Sequence, residues 1–155
     1  MSISLVSNAK INLALSINYK RSDGYHDISS IMQEIDLHDT IEISKNNSTK
    51  IYIKSKGILV PEDSTNLCYI AADIFLSEHN IENKVNITIN KKIPVGGGLG
   101  GGSSNASTIL KGLSKLFNIN PNQELLHLIS KKIGADVAFF NNGGLQYVQG
   151  IGDQL

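Results

Sequence analysis

The chain has no tryptophan, one cysteine and three prolines in 155 residues, and only 6% of it is aromatic. A single thiol, Cys68, excludes an internal disulfide and fits a reducing compartment, so the expected location is cytoplasmic. Cys68 falls within a helical pattern and reads as a buried, inert thiol rather than a nucleophile. Neither sign of charge is in excess, with 14 Lys and Arg against 14 Asp and Glu. That balance encodes no attraction to nucleic acid or to a membrane surface. No apolar run approaches the ~20 residues that cross a bilayer. Asn8, Lys10 and Asn12 interrupt the beginning of the chain before a signal-peptide apolar region can form. His26, His38, His79 and His127 are scattered, and Asp27, Asp36 and Asp39 lack a second ligand at metal-like spacing, so no zinc site is read. Nothing in the composition bears on oligomeric state. The length is that of one domain able to bury a core.

What the chain does have is glycine in one place. Residues 96–102 read Gly-Gly-Gly-Leu-Gly-Gly-Gly, followed at once by Ser103-Ser104-Asn105. Without Cβ atoms the backbone can approach a ligand closely and adopt positive φ. Before the loop, Val85, Ile87 and Ile89 alternate with Asn86, Thr88 and Asn90, a strand pattern. After it, Ala106, Ile109, Leu110, Leu113, Leu116 and Phe117 recur at helical spacing, which predicts a helix beginning at Ser103. Strand, glycine loop and helix N-terminus aim free N–H groups and a helix dipole at one spot, an arrangement suited to phosphate. A flexible linker does not usually open into an amphipathic helix. Gly96-x-Gly98-x-x-Gly101 satisfies the dinucleotide pattern, but residues 118–133 begin another helix where a strand with an acidic ribose partner is required. A P-loop needs Lys before Ser or Thr, and Gly102 stands there instead. The loop must therefore borrow a cation from elsewhere.

The remaining pattern is α+β, with strands clustered early and helices late. Residues 10–18 alternate as a half-buried strand, with Ile11, Leu13, Leu15 and Ile17 on the apolar face. Arg21 to Gly24 is turn chemistry. Residues 28–43 are extended, with a turn expected near His38-Asp39, and Ile51 to Ile53 begin a further strand. Asn66 caps one helix. Asn120 is expected to cap another, with Pro121 at its first position and Gly134 just past its end. Gly143 to Gln149 reads as the last strand.

Three groups of side chains could carry chemistry. Lys10 and Asn12 leave the same face of a strand, although spacing alone equally assigns Lys10 to a solvated polar face. Asp136 enters the apolar stretch Val137-Ala138-Phe139-Phe140 and needs a partner or a task; capping a helix or turn would also account for it. Tyr25-His26 offers a stacking ring and a titratable hydrogen-bonder, or simply a hairpin tip.

Four motifs in order resemble the GHMP kinases over nearly the whole chain. They are Ala9-Lys10-Ile11-Asn12-Leu13, then Arg21-x-Asp23-Gly24-Tyr25-His26, then Pro94-x-Gly96-x-Gly98-Leu99-Gly100-Gly101-Gly102-Ser103-Ser104-Asn105-Ala106, then Gly134-Ala135-Asp136-Val137-x-Phe139-Phe140. The Asp-Gly-Tyr-His element and the long glycine run resemble the branch whose alcohol substrate carries cytidine diphosphate, on the non-mevalonate route to isoprenoid precursors. The resemblance implies a ribosomal protein S5 domain 2-like α+β fold. It implies that Pro94, Gly96, Gly97, Gly98, Leu99, Gly100, Gly101, Gly102, Ser103 and Ser104 wrap the phosphates of ATP, with Ser104, or its neighbour Ser103, the hydroxyl for Mg²⁺ or phosphate. It further implies that Asp136 takes the proton of the substrate hydroxyl while Lys10 orients it. Tyr25 and His26 would hold the cytosine, and Asn12, Ala135 and Ile151 would line the substrate site. The family continues past Gly150-Ile151-Gly152 into a second domain. Residues 1–155 are thus expected to form an N-terminal domain without the C-terminal one, with little or no turnover alone. A non-catalytic nucleotide-binding module is the alternative. The departures are Asn8 for the usual Pro, Gly97 for Ala, Ser107 for Ala and Ala138 for Pro.

Overall fold

The computed structural model describes residues 2–22, 24, 26–152 and 154. Two long strands dominate it, β1 (Ser2–Lys20) and β2 (His26–Lys45), paired antiparallel from Ser2 opposite Ser44 to Lys20 opposite His26. The other edge of β2 is shared. Its residues Thr40 to Lys45 pair with β4 (Val85–Lys91), and its residues Ile28 to Gln33 pair with β5 (Leu145–Gly150). β3 (Tyr52–Gly57) runs parallel to β4, and α1 (Leu67–Glu78) makes the crossover that a parallel pair requires. α2 (Gly101–Phe117), α3 (Gln123–Ile133) and α4 (Val137–Asn142) fall between β4 and β5 in the chain.

Periodicity explains the core. Ile41, Ile43, Ile53, Ile87 and Ile89 take alternate positions on their strands and pack with Ala71, Ala72 and Phe75 of α1 and Ile109, Leu110 and Leu113 of α2. A second, smaller cluster joins Met32 of β2 and Val148 of β5 to Phe139 and Phe140 of α4. The aromatic rings meet edge to face with centroids 5.0 Å apart. This cluster seats α4, and with it Asp136, over the middle of β2.

Four local expectations are corrected. No turn occurs at His38-Asp39, because β2 continues through it. Asn8 faces His38 and Ala9 faces Ile35, so the irregularity is a bulge absorbed within one strand. β1 is not half-buried along its length. Ala9 and Lys10 are covered, whereas Leu13, Leu15 and Ile17 are 53–63% exposed, because that end of the hairpin reaches beyond the helices. The cap of α3 is Asn122, not Asn120, and its side chain accepts from Leu125 N at 2.6 Å. Asn122 is itself extended (φ −68°, ψ 158°) and supplies the side-chain acceptor, so Pro121 lies before the helix rather than at its first position. Helix α2 begins at Gly101, two residues before Ser103, with Gly100 as its N-cap. Asn66 caps α1 as expected, accepting from Cys68 N at 2.9 Å.

Cys68 is buried in α1, and burial pushes its thiol up to about 12. At pH 8 Ellman's reagent should find no reactive thiol in the native chain and a fully reactive one in urea. The sign for stability follows. The protonated thiol is favoured by folding, so raising the pH from about 9 toward about 12 should weaken the fold. A native thiol reacting at the unfolded rate would show that α1 does not seal it.

Candidate active site

The glycine loop joins the end of β4 to the start of α2. Gly96, Gly98 and Gly100 have φ of 77°, 70° and 68°, while the residues between them do not. Such alternation turns successive N–H groups toward one concavity and makes an anion-binding nest. The first helical bond on this side is Ser104 N to Gly100 O at 2.8 Å. The N–H groups of Gly101, Gly102 and Ser103 therefore precede the helical ladder, at the positive end of α2. Gly100 caps the helix without any side chain. A Cβ on it would come within 2.8 Å of the Phe140 ring and 3.1 Å of Lys10 Cγ, so only glycine fits. Gly97 differs, since a Cβ there would meet Leu99 and Pro94 at ordinary contact distances.

A cavity of about 370 Å³ opens against this loop. Pro94, Gly96 to Gly102, Leu99 and Ser103 line one side, and Val60, Pro61, Thr65, Asn66 and Leu67 line the other. This second wall has no motif. It arrives because α1 packs beside α2 and carries its capping residue Asn66 to the loop. Buried Lys91 and Asn105 complete the lining. Ser104 is placed differently. It is 2% exposed, its hydroxyl lies 2.8 Å from that of Ser7, and it lines a smaller cavity with Asn8, Glu34, Thr108 and Lys111. Of the two serines, Ser103 lines the larger cavity and Ser104 does not.

The second expected group is assembled. Lys10 is 5% exposed, not solvated; its Nζ donates to Asn12 Oδ1 at 2.9 Å and lies 3.6 Å from Asp136 Oδ2. Asp136 occupies the N-cap position of α4, yet its carboxylate makes no capping bond. Its side chain is 31% exposed, so it keeps room for another partner. The backbone N–H of Lys10 donates to Leu99 O at 3.0 Å, which joins this group to the phosphate loop. Ala135 and Ile151 share a further cavity with Arg21, Lys131 and Gln154. His26 is exposed at the first position of β2, opposite Lys20. Asp23 and Tyr25 lie outside the described residues.

Two departures from the family pattern are accommodated. The buried Ser107 hydroxyl donates to Asn141 Oδ1 at 2.9 Å. Asn8 Nδ2 donates to Glu34 Oε1 at 2.7 Å, although Asn8 Oδ1 is buried without a partner among the described residues.

The sequence pattern of the GHMP kinases N terminal domain matches residues 66–145, more than half of the chain. The chain belongs to the GHMP kinase family. It is 45% identical over 154 residues to the 4-diphosphocytidyl-2-C-methyl-D-erythritol kinase of Acetivibrio thermocellus, covering 99% of this chain and 54% of that relative. It is 48% identical over 145 residues to the enzyme of the same name from Clostridium perfringens, covering 94% and 50%. This GHMP kinase chain thus spans about half the length of the curated relatives it matches. Among solved structures, a 4-(cytidine 5'-diphospho)-2C-methyl-D-erythritol kinase superposes with a TM-score of 0.84 at 32% identity, over 99% of this chain and 54% of that one. The mevalonate kinase of Methanococcus jannaschii superposes at 0.70 with 18% identity, which shows the shared α+β fold alone.

The loop geometry separates two neighbouring glycines of this GHMP kinase. Gly100→Ala should lose about 1–3 kcal/mol in urea unfolding, through overpacking against Phe140 and Lys10 and a strained positive φ. Gly97→Ala should stay within about 0.5 kcal/mol of the parent chain. Equal losses at both positions would show that the Phe140 contact does not constrain the loop.

Proposed function

We propose that this GHMP kinase domain serves transfer of the γ-phosphoryl group of ATP to a hydroxyl of 4-diphosphocytidyl-2-C-methyl-D-erythritol, the compound after which its relatives are named. The observation that carries this reading is the junction at Lys10. Its side chain holds Asp136, and its backbone holds the phosphate loop, so a proton acceptor and an anion nest are built on one residue. Phosphoryl transfer asks for that juxtaposition more than for covalent chemistry.

The nucleotide base fits the wall of Val60, Pro61, Asn66 and Leu67, and the phosphates fit the nest and the start of α2. Asp136 takes the proton as the substrate oxygen bonds to the γ-phosphorus, and the bond to the bridging oxygen of ADP breaks. Lys10 directs the Asp136 carboxylate. Among the described residues no three His, Cys, Asp or Glu side chains converge. Mg²⁺ bound through the phosphates would need only one or two protein oxygens, and the Ser103 hydroxyl on the large cavity would be one of them. Its chemistry there is neutralisation of phosphate charge. On the substrate side, His26 and Tyr25 are the candidates for cytosine. The cavity that Ala135 and Ile151 share with Arg21 and Lys131 suits the substrate's diphosphate.

ADP release tests the assignment, with the chain alone and joined to the second half of the Acetivibrio thermocellus relative. Asp136→Asn should lower turnover by about two orders of magnitude or more, with MgATP and CDP affinities within about twofold of the parent. His26→Ala should weaken CDP and spare MgATP. Undiminished turnover in Asp136→Asn would remove Asp136 as the base.

A further inference from the structure

Asp39 takes no part in the arrangement described so far, yet it is fully buried and its two oxygens receive four donors. Oδ1 accepts the backbone N–H of Lys92 at 2.7 Å and of Ile93 at 2.8 Å. Oδ2 accepts Lys91 Nζ at 2.5 Å and Asn105 Nδ2 at 2.8 Å. These donors come from both ends of the glycine loop. Residues 91–93 lead into it, and Asn105 stands in the second turn of α2. The other N–H of Asn105 donates to Ser7 Oγ at 2.9 Å, which ties the same point to β1. Lys91 also packs beneath the start of the helix, where a Cβ on Gly101 would lie 2.7 Å from its Nζ. Lys91 and Asn105 line the large cavity, and Asp39 is not among its walls.

We propose that Asp39 is a positioning residue for the nucleotide phosphates. It clamps the two ends of the loop at one separation, so that the nest and the N-terminus of α2 converge before any nucleotide arrives. The physical need is plain. A segment with six glycines in seven residues is entropically expensive to order and has almost no side chains with which to hold itself. An anion site is effective only when its dipoles are fixed in advance. A buried carboxylate must in turn gather donors, and here the donors are the loop's own anchors. Removing one of its oxygens as an acceptor therefore loosens an anchor rather than the hydrophobic core.

This inference rests on the nucleotide reading, and the test separates the two. Adenosine, ADP and MgATP are titrated calorimetrically into the 155-residue chain and into Asp39→Asn. The asparagine keeps the shape but sets an NH₂ group against Lys91 or against the two backbone N–H groups. The expected result is MgATP weaker by about tenfold or more and adenosine within about twofold, because only the phosphate increment depends on the clamp. ADP should fall between them. Affinities that fall together, or that do not change, overturn the proposal. Should Asp39→Asn fail to fold, Asn105→Ala decides by the same comparison. It removes the α2 anchor together with the bond to Ser7 and leaves Asp39 its other three donors, and MgATP should weaken by about threefold or more with adenosine unchanged. A parent chain that binds neither adenosine nor MgATP overturns the nucleotide reading, and the clamp falls with it.

Discussion

A loop of glycines cannot organise itself, and the architecture around residues 96–102 answers that constraint. Each glycine brings a large loss of backbone freedom on ordering and no side chain to offset it. The ordering is therefore imposed from outside. β1 supplies the Lys10 N–H to Leu99 O, α4 sets the Phe140 ring where a Gly100 side chain would be, and β2 supplies Asp39. Each of these elements comes from a different part of the chain. The long β1/β2 pairing and the small cluster of Met32, Phe139, Phe140 and Val148 are what bring them together.

The two lysines near the loop show how burial divides labour between similar groups. Lys91 and Asp39 are both sealed, and every oxygen of the carboxylate is engaged. Breaking such a pair from one side costs about 3–5 kcal/mol, so it is a fixed part of the frame. Lys10 and Asp136 sit farther apart, at 3.6 Å, and the aspartate is part-exposed. This pair is held less tightly than that of Lys91 and Asp39. Its carboxylate keeps an exposed side open to a further partner. On the proposed reading the cation that the phosphate loop borrows is Lys10, since Lys91 is paired with Asp39 inside the protein.

The departures from the family pattern illustrate how a local substitution finds a local answer. Ser107 brings a hydroxyl into a buried position, and Asn141 from α4 receives it. Gly97 lacks a methyl group that the space beside Leu99 and Pro94 would admit, so the change leaves the loop's path intact. Asn8 is only half answered, since Glu34 takes its amide and nothing among the described residues takes its oxygen.

What the amino-acid sequence determined by itself was whatever depends on neighbours in the chain. The alternation of Val85, Ile87 and Ile89, the spacing of Ile109, Leu110 and Leu113, the Asn66 cap and the glycine run are local and were legible. So was membership of the family, which those motifs carry in order. The limits of the elements were less so. Two asparagines flank Pro121 and the second is the cap, and free glycine geometry let α2 start at Gly101. Tertiary structure decided what depends on remote partners. Lys10 had no reason in its own strand to be buried, and only the arrival of α4 gave it Asp136. Asp39 shared the inward parity of Ile41 and Ile43, a signal present in the strand, but its donors lie more than 50 residues away. The cavity wall at Val60 to Leu67 exists because a parallel strand pair requires a crossover, and the crossover places α1 beside the loop. Hydrogen bonds and burial between distant segments have no local period, so only the folded chain could assign them.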